Sequence, residues 1–125
     1  MKPNDSGFVS YLLELLQPVP GVTAKRMFGG YGLFREGLMF GLVADDTIYL
    51  KVDDQNRADF VERELGPFVY IKEGKPMPMS YYQAPGEALD NPDDMVEWAE
   101  KAYQAALRGQ QAKGKRQRSS VKRER

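Results

Sequence analysis

The stretch that decides the fold reads Arg26-Met27-Phe28-Gly29-Gly30-Tyr31-Gly32-Leu33-Phe34, then Arg35-Glu36-Gly37, then Leu38-Met39-Phe40-Gly41-Leu42-Val43-Ala44-Asp45-Asp46-Thr47-Ile48-Tyr49-Leu50-Lys51-Val52. Leu38, Phe40, Leu42 and Ala44 alternate with Met39, Gly41 and Val43. Past Asp45-Asp46, Ile48, Leu50 and Val52 alternate with Thr47, Tyr49 and Lys51. Period-two alternation of β-branched and aromatic residues is the pattern of strands. Glu36-Gly37 and Asp45-Asp46 interrupt it, and both pairs suit tight turns. The stretch predicts two linked hairpins, and a three-stranded sheet of this kind needs a helix on one face.

The flanking sequence supplies that cover. Residues 7–17 read as a helix, with Phe8, Leu12, Leu15 and Leu16 at helical spacing, Asp5 or Ser6 as its cap, and Pro18, Pro20 and Gly21 ending it. Residues 22–27 read as a short strand or an extended lead-in. Asp53-Asp54 caps a second helix over residues 55–64. Residues 68–72 and 77–83 read as a fourth and a fifth strand, with Pro76 and Pro78 placing the latter at an edge or a bulged start. Asn91 caps a third helix that has Pro92 at its first position and Asp93 and Asp94 in its first turn. Met95, Trp98, Ala99, Ala102 and Ala106 give that helix one buried face. The expected architecture is α+β: an antiparallel sheet of about five strands packed by three helices, in the order α-β-β-β-α-β-β-α. Phe40, Leu42, Ile48, Leu50, Trp98 and Ala102 are expected in one core.

The 125 residues suit one domain, assigned to residues 1–107. Residues 108–125 hold eight basic side chains and one acid, net +7, whereas the rest holds ten basic and seventeen acidic side chains, net −7. Beyond Gly109 only Ala112 and Val121 are apolar. Such a segment buries too little surface to offset its ordering entropy and is expected to be a flexible, disordered basic arm, with a helical start as the alternative. Cysteine and histidine are absent. That removes disulfides, thiolate and imidazole metal ligands, the thiol nucleophile and the commonest general base. No apolar run approaches the roughly 20 residues of a membrane span, and the N-terminus lacks the apolar core of a signal peptide. The expectation is a cytoplasmic protein without membrane contact and without a cofactor.

Each candidate site has a plainer reading. Gly29, Gly30 and Gly32 are not followed by the Lys-Ser or Lys-Thr of a phosphate loop, and a dinucleotide fingerprint needs glycine where Arg35 stands. Tight backbone packing or a bulge fits them better. Asp45-Asp46 and Asp53-Asp54 lie at opposite ends of one strand, on the order of 20 Å apart, too far to share a cation. Tyr81-Tyr82, near Ser80 and Lys75, lack an orienting base. Lys25, Arg26 and Lys51 form an anion site only if their strand ends meet. Lys113, Lys115, Arg116, Arg118, Lys122, Arg123 and Arg125 are the candidate nucleic-acid contacts, through phosphates and without base readout.

The run from Arg26 through Met27, Phe28, Gly29, Gly30, Tyr31 and Gly32 to Phe34, followed by Gly37 through Phe40 and Gly41 and by Tyr49-Leu50-Lys51, resembles the N-terminal domain of the TfoX (Sxy) competence-regulator family. Met79-Ser80-Tyr81-Tyr82 with Pro85, and the helix bearing Trp98-Ala99, extend the resemblance over residues 8–107. It implies an α+β domain with an antiparallel sheet and no catalytic residues. It also implies a non-enzymatic role in switching on DNA-uptake genes, as a coactivator with a protein partner such as the cyclic-AMP receptor protein. Full-length members carry a second, helical C-terminal domain, where this sequence has its basic tail. The runner-up function is a small ligand-binding protein or enzyme using the glycine-rich hairpin. A homodimer is compatible with either reading.

Overall fold

The computed structural model describes the backbone of residues 3–27 and 29–123, and side chains over 7–27 and 29–111. Helix α1 (Pro3–Leu15) precedes a meander of β1 (Val22–Met27), β2 (Gly30–Arg35), β3 (Leu38–Ala44) and β4 (Thr47–Lys51). A short helix α2 (Arg57–Val61) leads to the hairpin β5 (Pro67–Lys72) and β6 (Lys75–Gln83). A 3-10 turn (Gly86–Leu89) then enters the long helix α3 (Pro92–Arg123). All six strands form one antiparallel sheet in the order β1-β2-β3-β4-β6-β5. The segment 22–27 is thus a true sixth strand, paired along its whole length with β2.

Three hairpins close with two-residue turns, Glu36-Gly37, Asp45-Asp46 and Glu73-Gly74. In each, both central residues have positive φ, between 52° and 83°, the conformation whose twist matches that of flanking strands. Glu36-Gly37 and Asp45-Asp46 were legible as turns because glycine and the short aspartate side chain tolerate that region.

One face of the sheet carries Leu33, Val43, Ile48 and Leu50, and α1 and α3 cover it with Val9, Leu12, Leu16, Met95, Trp98, Ala99 and Ala102 in one buried cluster. Phe60 of α2 joins it, its ring 5.1 Å from that of Trp98. The register shifts between β2 and β3: Leu33 faces Gly41 but Phe34 faces Met39. Phe40 is the extra residue, and the bulge leaves Phe40 and Gly41 both on the helix side. Leu42 therefore falls on the opposite face, across from Gly32 and Tyr49. It is buried there, at 1% exposure, but outside the cluster expected to hold it. Simple alternation failed at Leu42 because the bulge changes the phase.

Caps and boundaries also differ in detail. Helix α1 begins at Pro3, so Asp5 and Ser6 lie inside it. Helix α2 is only five residues long, with Asn56 rather than Asp53-Asp54 at its start. Asn91 caps α3 as expected: its Oδ1 accepts the Asp94 backbone N–H at 2.9 Å. Helix α3 runs through Arg123, into the segment read from the sequence as a basic arm. Arg108 itself belongs to the folded body, because its guanidinium donates to both oxygens of Asp53 at 2.6 and 2.9 Å. That partner lies 55 residues away, so the composition of the tail gave no hint of it.

Candidate functional site

The glycines of the motif have packing roles. Gly29 turns the chain at φ 75°. A Cβ on Gly30 would run into the carbonyl oxygen of Val43 and lie 3.1 Å from its carbonyl carbon. On Gly32 it would come 2.5 Å from Met27 Sδ and 3.0 Å from the Phe34 ring. Gly32 is thus a floor over which Met27, Phe34 and Met39 close. Gly41 lies opposite Leu33, whose side chain approaches within 3.2 Å of where a Cβ would be.

These contacts build the sheet's second face. By register it carries Lys25, Gly32, Leu42, Tyr49, Lys51 and Tyr81. Met27, Phe34, Met39, Tyr49, Phe68 and Tyr81 are half-buried on it, in contrast with the fully buried residues under the helices. The Tyr49 and Phe68 rings meet edge-on at 5.1 Å. Two cations flank this surface. Lys25 lies over the Phe34 ring at 5.7 Å and Lys51 over the Tyr81 ring at 5.2 Å. Lys51 Nζ also donates to Ser80 Oγ at 2.7 Å. Burial pushes the Tyr81 phenol above its ordinary value.

The residues suspected as an anion site do not converge. Lys25 and Lys51 sit on β1 and β4, three strand spacings or about 14 Å apart. Arg26 pairs with Tyr31 on the helix side and lies over its ring at 5.8 Å. Lys75 is at the hairpin tip, five residues along β6 from Ser80. The partner of Ser80 is Lys51, which sequence spacing could not reveal across 29 residues. Tyr82 faces the core, 5.9 Å from the Phe60 ring. Trp98 is buried under Arg63 and Lys101, at 5.0 and 5.4 Å. Phe28 and Arg125 lie outside the described residues, as do the side chains of Lys113, Lys115, Arg116, Arg118, Lys122 and Arg123.

Asp45 and Asp46 form a turn, and Asp53 accepts from Gln55 N–H and from Arg108. The Arg108 hydrogen bonds hold the Asp53 carboxyl below its usual range. Among the described residues no group of three or more acidic side chains is placed to hold a metal ion. A groove of about 420 Å³ opens where Leu38, Met39, Lys51 and Tyr81 meet Ala106, Gly109 and Gln110 of α3. Among the described residues, Gly29, Gly30 and Gly32 are not part of its lining. No described helix is long and apolar enough to cross a membrane.

Comparison with known proteins accounts for this arrangement. The chain is 24% identical over 105 residues to Protein Sxy of Escherichia coli (strain K12), a match that covers 84% of this chain and 50% of that protein. The chain therefore spans about half the length of that curated relative. The family profile described as the TfoX N-terminal domain matches residues 14–106, which contain the whole sheet, the glycine floor and the first part of α3 with Trp98, and the chain belongs to that family of competence-regulator domains.

Proposed function

We propose that this chain is a non-enzymatic, cytoplasmic regulatory module that promotes expression of DNA-uptake genes by docking on another protein at promoters. The partner that the family resemblance points to is the cyclic-AMP receptor protein, with the basic segment after Arg108 adding weak, sequence-independent contact to DNA. The observation that supports this reading most is the second face of the sheet. Methionine and aromatic side chains on a half-exposed surface, with cations at its margin, have the composition of protein-binding patches. The motif residues Met27, Gly32, Lys51 and Tyr81 contribute to that face and to no reactive constellation.

The test is a fluorescence anisotropy titration of the purified chain against purified cyclic-AMP receptor protein, with and without promoter DNA. Lys25→Glu and Phe34→Gln alter the second face, and Glu97→Gln on exposed α3 is the control. The reading expects binding that each face variant weakens about tenfold or more, with Trp98 emission unchanged and the control silent. No binding by the wild-type chain, or binding indifferent to both face variants, overturns it.

A further inference from the structure

The two edges of the sheet are defended differently. β1 presents Thr23, Lys25 and Arg26, all exposed, and charge on an edge strand resists pairing with another chain. β5 runs Phe68-Val69-Tyr70-Ile71 without a charge before Lys72 and without a proline after Pro67. It pairs only with β6 in the sheet. β6 in turn pairs with β4 through residues 81–83, so the distal part of the hairpin projects as a two-stranded arm. Val69, Ile71, Tyr70 and Met77 are 44%, 59%, 37% and 47% exposed along it. A two-stranded ribbon on its own is marginal in water.

The prolines show which way the arm's backbone faces. Pro78 lies opposite Val69 and Pro76 opposite Ile71. Proline has no N–H, so these are the non-hydrogen-bonded pairs of the β5–β6 ladder, and Tyr70 opposite Met77 is a bonded one. Two consequences follow. The inner edge of β6 beyond Ser80 offers no donor at Pro76 or Pro78 and is closed to a further strand. The N–H and C=O groups of Val69 and Ile71 point outward from β5, away from β6, where they can pair.

We propose that the outer edge of β5 is a self-association surface, on which a second copy of this chain adds its own β5 antiparallel about a two-fold axis at Tyr70. In that register Val69 lies opposite Ile71 of the second copy, and Ile71 opposite its Val69. Both are bonded pairs, so the outward groups of both residues are satisfied on both copies. Two pairs of β-branched residues then share one face. Phe68 lies opposite Lys72 of the second copy, a cation beside a ring. The Cα atoms of the two Lys72 residues stand about 14 Å apart, beyond the screening length of about 10 Å at 0.1 M salt. Other registers are worse. An axis at Lys72 sets the two lysines face to face. An axis at Val69 pairs Ile71 with Pro67, which has no N–H. The self-complementary register is what favours a second copy over an unrelated extended peptide.

The test uses the full chain. Sedimentation velocity over a wide concentration range is expected to show a monomer–dimer equilibrium, with the amides of Val69 and Ile71 exchanging more slowly as dimer accumulates. Val69→Lys and Ile71→Glu are each expected to weaken the dimer about tenfold or more, with Trp98 emission unchanged. Mixing the two variants is expected to restore a heterodimer, because the opposite charges face each other across the axis. The proposal is overturned by a monomer at every concentration, by a dimer that survives both single variants, or by exchange at Val69 and Ile71 that is independent of concentration. Capture of a foreign peptide at β5 by a chain that never self-associates also overturns it.

Discussion

Gly30→Ala tests whether the glycine motif is a packing device. A Cβ there would penetrate the Val43 carbonyl oxygen and lie 3.1 Å from the carbonyl carbon and 3.4 Å from Ala44 Cα. All three atoms are backbone, so no side chain can swing away. A tolerable C–H···O contact is about 3.3–3.6 Å, and reaching it requires β2 and β3 to part by more than about 1 Å. Ladder bonds at this point then fail. Two lost bonds at about 1 kcal/mol each, plus a carbonyl left without a donor, give about 2–4 kcal/mol. With a urea slope of about 1.5 kcal/mol/M for a chain of this size, the midpoint falls by about 1–3 M. Trp98, 5% exposed and edge-on to Phe60, reports the transition by its fluorescence. Gly29→Ala is the internal comparison. Gly29 has positive φ but, among the described residues, nothing within 4 Å of a Cβ, so alanine there meets chiefly the left-handed penalty, about 1 kcal/mol, and Gly29→Asn recovers part of it. Gly30→Ala melting within about 0.5 kcal/mol of wild type, or Gly29→Ala costing more than Gly30→Ala, refutes the reasoning.

Three further outcomes are expected. Leu50→Ala empties a fully buried site in the main cluster and should lower stability by about 2–5 kcal/mol in the same melt. A loss under about 0.5 kcal/mol would contradict the assigned face. Asp53 has a depressed carboxyl pKa, chiefly through the Arg108 hydrogen bond, so its contribution is present above the unfolded value near about 3.9 and is lost as pH falls through the folded value. Arg108→Gln should therefore destabilise by about 1 kcal/mol at neutral pH and converge with wild type in strong acid. A gap that persists in acid points to packing instead. Duplex DNA binding by the full chain, if about five to seven phosphates are neutralised, should show a slope of log K against log salt of about −4.5 to −6, and binding retained by a chain ending at Gln111 would place the contacts elsewhere.

Hairpins were readable in the sequence wherever the information was local. Thr47 to Lys51 alternates cleanly, and Glu36-Gly37 and Asp45-Asp46 break the pattern with residues that tolerate positive φ. Asn91 and Pro92 announced a helix start that the Asp94 N–H confirms. What escaped rests on groups distant in sequence. Val22 to Met27, with few apolar residues, read as a short strand or an extended lead-in, and pairing with the edge of β2 makes it the strand. The bulge at Phe40 moved Leu42 to the other face. Arg108 reads as part of a basic tail, yet Asp53 claims it. The second face was illegible for a related reason. Met27, Phe34, Met39 and Tyr81 come from four strands, and only the register shows that they share a surface.

The strand order has a consequence for how the chain acquires its structure. Neighbours in the meander follow one another directly in sequence, with two-residue turns between β2 and β3 and between β3 and β4, so each of its pairings closes a short loop at small entropic cost. The β5–β6 hairpin is equally local. The β4–β6 seam, where Lys51 meets Tyr81, and the docking of α1 and α3 join distant segments. A chain leaving the ribosome can therefore complete the four-stranded meander before α3 has been synthesised. Until Met95, Trp98 and Ala102 arrive, Leu33, Ile48 and Leu50 lack part of their cover. The interval between sheet formation and arrival of the last helix is when this protein is most exposed to aggregation.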